Sequence, residues 1–300
     1  MIGSRWLGDG GRWGFDPAEV QRLASAGRGF DGACLERVSV ELQGHRVSVR
    51  VEGLPQRGGG VRGRVRGFSR SSRKRLLDLL AGLDPVQLAG FRYVGLFVTL
   101  TYAGDEGELA GPEKVKRDLD VFLKRVGRRF PGVSGVWRFE WESNGAREYH
   151  PHLHLILLGV GFWHWAEVRR VWNQVSGNPV GSPSTDVTGL RSWRGVIYYA
   201  AKYISKGQRV SDEGAEGASL VYHSYFPGRV WGVFNREGLP EGKQELIVMK
   251  GGIGGWFYDF RRLARRRWSG VNDGRYQGFT LYVDDPSEWV RALYWCLVNG

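Results

Sequence analysis

The chain has 300 residues, and its 43 Lys and Arg outweigh its 31 Asp and Glu to give a net charge of +12. This length exceeds one typical domain, so we expect a core with additions at either end. The positive surplus favours a polyanionic partner, although charge alone fits DNA, RNA or an anionic membrane.

The same totals bound the class of protein. Cys34 and Cys296 lie far apart and fit neither a disulfide framework nor a zinc ribbon, which favours a reducing cytoplasm. No stretch approaches the roughly 18 consecutive apolar residues of a membrane span, and the first residues lack the apolar centre of an export signal. We therefore expect a cytoplasmic protein that does not enter a membrane.

The first part of the chain predicts a small β appendage and a linker. Alternating apolar and polar residues over 35–54 indicate two short strands around Gly44. Residues 56–67 are basic and rich in glycine, as is typical of linkers. A short helix is predicted within 68–84, and its basic side chains either contact phosphates or form an ordinary solvated face.

The middle of the chain predicts an α+β domain. The predicted elements are, in order, a strand at 92–102, a helix at 112–130, strands at 135–142 and 152–159, and helices at 162–177 and 192–207. We expect the two adjacent strands to pair antiparallel. This order of elements fits an antiparallel sheet with helices packed on it.

The remainder of the chain combines an acidic segment with a basic one. Residues 212–219 are typical of an acidic surface loop, and the later part is rich in tryptophan. The run RRLARRRW at 261–268 predicts one strongly cationic helix. A P-loop is absent, because Gly242 and Lys243 are followed by glutamine and lack the upstream glycine.

Three of the six histidines lie in the segment His-Pro-His-Leu-His at 150–154. Side chains alternate along a strand, so His152 and His154 project together while the intervening leucine faces the core. His150 is assigned to the surroundings, because a proline follows it. The alternative is that these histidines are ordinary surface or core residues, which their clustering disfavours.

A carboxylate is expected beside the two histidines. Antiparallel pairing with the preceding strand sets an acidic side chain next to them, and Glu142 is preferred over Glu140 because it lies nearer the connecting loop. Two imidazoles and a carboxylate with open positions suit Mg²⁺ or Mn²⁺ acting as a Lewis acid. The lack of nearby cysteine argues against structural zinc.

The second constellation lies in the helix predicted at 192–207. Helical spacing puts Tyr199, Lys202, Tyr203 and Lys206 within an arc of about 100°. A phenol with a pKa near 10 is a weak nucleophile, so it needs a neighbouring ammonium and a cation that withdraws charge from its target. The alternative is that the tyrosines simply pack this helix on the sheet.

Three ordered segments resemble the motifs of the HUH endonuclease superfamily, in particular the replication initiators of rolling-circle plasmids and single-stranded DNA phages. These are FVTLTY at 97–102, HPHLHLI at 150–156 and YAAKYISK at 199–206. The resemblance covers roughly residues 68–207. It implies an RRM-like antiparallel sheet with packed helices, the HUH endonuclease core, at 68–210. The N-terminal appendage and linker then occupy 1–67, and a basic, tryptophan-rich C-terminal extension occupies 211–300.

The resemblance also implies roles for single residues. It makes His152 and His154 metal ligands and puts the third, acidic ligand on Glu142 or Glu140. The segment from 199 to 206 is similar to the two-tyrosine form of the family. Tyr203 and Tyr199 therefore both carry over, with Tyr203 as the preferred nucleophile.

The implied activity is a sequence-specific cut in one DNA strand at an origin, followed by rejoining. It leaves a 5′-phosphotyrosine link and a free 3′-OH primer. The implied partners are single-stranded and origin DNA, with a helicase and a DNA polymerase of a bacterial host. Two alternatives remain: a transposase or relaxase with the same chemistry, and a non-catalytic nucleic-acid-binding protein.

Overall fold

A computed structural model describes residues 37–52, 68, 70–88, 95–103, 110–141, 151–192, 195–196, 229–249, 255–267, 272–274, 278–283 and 286–299. The chain divides into two compact units. The central unit comprises Arg62–Leu80 and Pro85–Pro240, and the terminal unit comprises Met1–Val61, Ala81–Asp84 and Glu241–Gly300. Among the described helices, none combines the length and hydropathy that crossing a bilayer requires.

The described elements of the middle of the chain follow the predicted order closely. They are helices α1 (Arg70–Ala81) and α2 (Pro85–Leu88), strand β3 (Gly95–Thr101), helix α3 (Pro112–Arg129), strands β4 (Ser134–Trp141) and β5 (Pro151–Leu158), helix α4 (Trp165–Ser176), and strands β6 (Thr185–Leu190) and β7 (Trp231–Phe234). A short 3-10 helix, Arg236–Gly238, follows β7. The predicted linker at 56–67 and the acidic loop at 212–219 lie outside the described residues.

The five strands of the central unit form one antiparallel sheet in the order β6-β3-β5-β4-β7. From β3 to β6 the elements run strand, helix, strand, strand, helix, strand, which is the ferredoxin-like arrangement that RRM domains share. The predicted α+β fold with an RRM-like antiparallel sheet is therefore confirmed. Strand β6 was not predicted, and β7 adds an edge next to β4.

One face of this sheet is covered by helices α3 and α4. The shared core joins apolar side chains of β3, β4 and β5 to those of the two helices, including Phe122 and Trp172, both fully buried. These two rings meet edge to face with centroids 5.8 Å apart. Since side chains alternate along each strand, the helix-covered face takes the leucines of β5 and leaves the histidines on the opposite face.

The terminal unit contains a second antiparallel sheet. Its elements are strands β1 (Arg37–Gln43), β2 (Arg46–Glu52) and β8 (Gln244–Met249), helix α5 (Gly255–Arg267), strands β9 (Asn272–Gly274) and β10 (Gly278–Tyr282), and helix α6 (Pro286–Asn299). The strand order is β8-β1-β2-β10-β9. The predicted appendage and the predicted C-terminal extension thus both contribute strands to this sheet.

The predicted hairpin around Gly44 is present. Strands β1 and β2 pair antiparallel, with Gln43 opposite Arg46 across the turn. Gly44 has a φ of +53°, and a Cβ at this position would collide with the carbonyl oxygen of Leu83. The turn therefore requires glycine for both its conformation and its close packing.

Candidate metal centre

Strand β5 lies between β3 and β4, and the pairing fixes what faces each histidine. His152 lies opposite Thr101 on β3 and Glu140 on β4. His154 lies opposite Thr99 on β3 and Arg138 on β4. Directly opposed residues share a face of the sheet, so these six side chains form two adjacent rows on the face away from α3 and α4.

The two imidazole rings are held in a regular stack. Their planes differ by 7° and their centroids lie 6.3 Å apart. Phe97 stacks on His154 from the other side, with a centroid separation of 5.7 Å and an interplanar angle of 17°. The neighbouring Leu153 and Leu155 are fully buried in the core. The histidines therefore project together from the sheet, as the alternation predicted.

Glu140 is the carboxylate that the described structure brings to the histidines. Its Oε2 atom lies 3.4 Å from Nε2 of His154, and its side chain is only 14% exposed. Glu142, which the sequence interpretation preferred, lies outside the described residues, and so does His150. Among the described residues, Glu140 thus has the contact expected of the acidic ligand.

A buried arginine balances the charge of this carboxylate. Nη1 of Arg138 lies 3.6 Å from Oε2 of Glu140, and the arginine side chain is 6% exposed. Burial lowers the pKa of Arg138 below its ordinary value, while the nearby Glu140 acts in the opposite direction. The guanidinium lies 4.6 Å from the ring centroid of Phe68, just before α1, so this part of the chain also borders the site.

The donor set fits a divalent cation in part. Ligand atoms of Mg²⁺, Mn²⁺ or Zn²⁺ lie about 2.1 Å from the ion, so two ligands of one ion are separated by less than about 4.2 Å, a condition that the His154 to Glu140 distance meets. Mixed imidazole and carboxylate donors suit such ions. Within the described part of the chain, however, no three His, Cys, Asp or Glu side chains close on a single point.

Sequence reasoning did not find the threonines of β3 or an aspartate of β6. Thr99 and Thr101 contact the two histidines, and Asp186 lies opposite Thr99 on the same face with an exposed side chain. The alternating threonines of FVTLTY were a signal, because they share the parity of a strand face. Their meaning required the pairing of β3 with β5, and Asp186 required recognition of β6.

The tyrosine helix predicted at 192–207 is described only at its beginning. Gly195 and Val196 are helical, and Ser192 caps this start by accepting a hydrogen bond from the backbone N–H of Gly195 at 3.1 Å. Tyr199, Lys202, Tyr203 and Lys206 all lie outside the described residues. Their proximity to the histidines therefore remains a prediction.

Comparison with known proteins gives one match. Residues 95–208 match a family model described as a replication-associated protein of the ORF2 type. No curated protein and no solved structure matches the chain. The matched range begins at β3, includes both histidines and extends through the predicted tyrosine segment. It supports a replication initiator family, a role in DNA replication with DNA as partner, and in general terms a nuclease-like enzyme.

Proposed function

We propose that this protein initiates rolling-circle DNA replication by nicking one strand at an origin and joining itself to the 5′ end. The observation that carries the proposal is the pair of parallel histidines with Glu140 on one sheet face, inside the segment that matches the replication-associated family. The resemblance of residues 199–206 to a two-tyrosine HUH motif supplies the nucleophile. The basic chain suits a DNA substrate.

The proposed chemistry assigns a role to each group. His152, His154 and a carboxylate, Glu140 or Glu142, would hold Mg²⁺ or Mn²⁺, which stabilises negative charge on the scissile phosphate. The phenol oxygen of Tyr203 attacks phosphorus in line, a tyrosyl O–P bond forms, and the bond from phosphorus to the 3′ oxygen breaks. The leaving oxygen takes a proton and becomes the 3′-OH.

The lysines and the second tyrosine complete the cycle. The ammonium groups of Lys202 and Lys206 favour the phenolate by placing positive charge beside it. Tyr199 makes the second cut, and the freed 3′-OH then rejoins the ends. The link conserves the energy of the phosphodiester, so no ATP is needed, in keeping with the missing P-loop. A host helicase and a host polymerase are the expected partners.

The direct test uses labelled single-stranded oligonucleotides that tile the DNA flanking the coding sequence. The protein is incubated with them and Mn²⁺, and the products are separated under denaturing conditions. We expect one sequence to give a protein-linked 5′ fragment and a 3′-OH fragment that a polymerase extends. Binding without any cut supports the non-catalytic alternative, and cutting only at the ends of a mobile element supports a transposase.

The identity of the third ligand can be tested by substitution. Because Glu140 contacts His154, Glu140→Gln is expected to weaken Mn²⁺ binding at least about 10-fold, since an amide is a poorer ligand than a carboxylate. The matched variant Glu142→Gln is expected to bind Mn²⁺ almost as the wild type does. Isothermal titration calorimetry measures both affinities. The reverse ranking would assign the ligand to Glu142.

A basic stripe on α5 supports a contact with duplex origin DNA. Arg262, Arg265 and Arg266 are exposed on the side of α5 opposite its buried Phe260, and Tyr258, 60% exposed, lies one turn before Arg262. Asp259 pairs with Arg262 at the edge of the stripe. Exposed guanidinium groups in a row along one helix face suit successive phosphates.

Removing this stripe is expected to weaken duplex binding selectively. The triple variant Arg262→Ala, Arg265→Ala and Arg266→Ala should reduce the slope of log Kd against log salt by about 1 for each phosphate that the protein no longer neutralises. Fluorescence anisotropy at several salt concentrations measures the slope. The control removes three exposed charges from α3, with Arg117, Lys124 and Arg128 changed to alanine. Equal losses of affinity in both triple variants would indicate a diffuse charge effect and contradict the assignment to α5.

A further inference from the structure

The same contact is made twice between β3 and β5. Oγ1 of Thr99 lies 3.1 Å from Nδ1 of His154, and Oγ1 of Thr101 lies 3.0 Å from Nδ1 of His152. Each threonine is the direct cross-strand partner of its histidine. Two identical contacts at a spacing of two residues on both strands define a repeated device, which we call the threonine ladder: Thr99, Thr101 and the two rings they contact.

The backbone that carries the ladder is anchored at its end. The N–H of Thr101 donates to the carbonyl oxygen of Ser184 at 2.8 Å. The carbonyl oxygen of Thr101 accepts from Nε1 of Trp172 at 2.8 Å and from Nδ2 of Asn178 at 3.1 Å. Because Trp172 is fully buried, the hydroxyl of Thr101 projects from a fixed point.

The ladder selects which ring nitrogen is available to a cation. A neutral imidazole carries one N–H and one lone pair, and only the lone pair binds a metal. A ring that binds through Nε2 must keep its proton on Nδ1, and the threonine oxygen accepts that N–H. In His154 the Nε2 atom is also the one that faces Glu140. Both contacts therefore direct the same ring edge towards the carboxylate.

A hydroxyl is also suited to an anionic substrate. Metal-bound histidines often donate their second N–H to a carboxylate, which adds negative charge to the site. Threonine accepts the same hydrogen bond without a charge. The cation then keeps more of its attraction for a DNA phosphate.

We propose that Thr99 and Thr101 are positioning residues of the metal centre, which hold His154 and His152 in the Nδ1-protonated form with both Nε2 atoms as ligands. This inference rests on the metal centre of the proposed function. It gives the first motif of the sequence, FVTLTY, a specific role, because its two threonine hydroxyls orient the ligands of the second motif.

The test compares threonine variants in the full chain. Thr99→Val and Thr101→Val keep the β-branched shape and remove only the hydroxyl, and the double variant is expected to raise the Kd for Mn²⁺ about 10- to 100-fold. Thr99→Ser with Thr101→Ser restores the hydroxyls, so its Kd should lie close to that of the wild type. Thr188→Val is the matched control, because Thr188 lies opposite Phe97 on the same face. Calorimetry gives each Kd, and circular dichroism checks that each variant is folded.

A second measurement needs no variant. In the ¹⁵N spectrum of the wild-type protein loaded with diamagnetic Zn²⁺, both histidines should bind through Nε2 and retain a proton on Nδ1. Coordination through Nδ1, or an unchanged Mn²⁺ Kd in the double valine variant, would overturn the ladder while leaving the metal centre intact. A wild-type protein that binds neither Mn²⁺ nor Zn²⁺ would instead refute the metal centre itself, and the ladder with it.

Discussion

Replacing His152 and His154 together with alanine is expected to lower the rate of origin cleavage by more than about 10³-fold, because the scissile phosphate loses its stabilising cation. Binding of the same oligonucleotide should persist, since affinity for DNA arises mainly from basic side chains elsewhere. Denaturing electrophoresis with Mn²⁺ measures the cut, and fluorescence anisotropy measures binding. The two readouts separate loss of chemistry from loss of substrate.

The control for this experiment is a histidine outside the centre. His164 caps α4, with its Nδ1 accepting the backbone N–H of Ala166 at 3.2 Å. His164→Asn keeps a capping acceptor and removes the imidazole, so cleavage should be unchanged. Cleavage at the wild-type rate by the double alanine variant would show that the two histidines do not hold the catalytic ion.

The second large effect is expected from the tyrosines. The double variant Tyr199→Phe and Tyr203→Phe should form no covalent DNA adduct, a loss of about 10⁴-fold or more, because phenylalanine has no oxygen to attack phosphorus. Tyr203→Phe alone should remove most of the first cut. Mn²⁺ affinity should be unchanged, since neither phenol is a proposed ligand. The adduct is detected as a labelled band that survives denaturation and shifts after proteolysis.

Tyr198→Phe serves as the comparison for the tyrosine variants. Helical spacing places Tyr198 outside the arc shared by Tyr199 and Tyr203, so its adduct should form at the wild-type rate. An adduct that persists in the double phenylalanine variant would assign the nucleophile to another side chain. Cleavage without any adduct would point to water as the nucleophile.

The local patterns of the sequence predicted much of the central unit. The apolar period of α3 and the alternation of β5 are strong signals because each is set by burial of one face. Strand β6 was missed because TDVTGL is short, partly exposed and interrupted by glycine. Its extended state comes from pairing with β3, which is a tertiary effect that local propensity does not contain.

The candidate site shows the same division. Parity alone placed His152 and His154 on one face, and it placed Glu140 and Glu142 on a common face of their own strand. The choice between these glutamates depends on the register of β4 against β5, which a long connecting loop leaves open in the sequence. The pairing sets Glu140 opposite His152, and this cross-strand contact decides which carboxylate lies at the described histidines.

The sheet of the terminal unit imposes an order on biosynthesis. Strand β1 pairs with β8 and β2 pairs with β10, and the side chain of Gln43 bonds the carbonyl of Gly242, 199 residues later. At ordinary rates of synthesis the hairpin waits about 10–40 s for its neighbours, and a lone two-stranded hairpin is only marginally stable. The strands of the central sheet are all complete before β8 is made. A chain halted before β8 therefore carries a complete central sheet together with two bare strand edges, which invite aggregation. Completion of the second sheet thus reports that translation has reached β10.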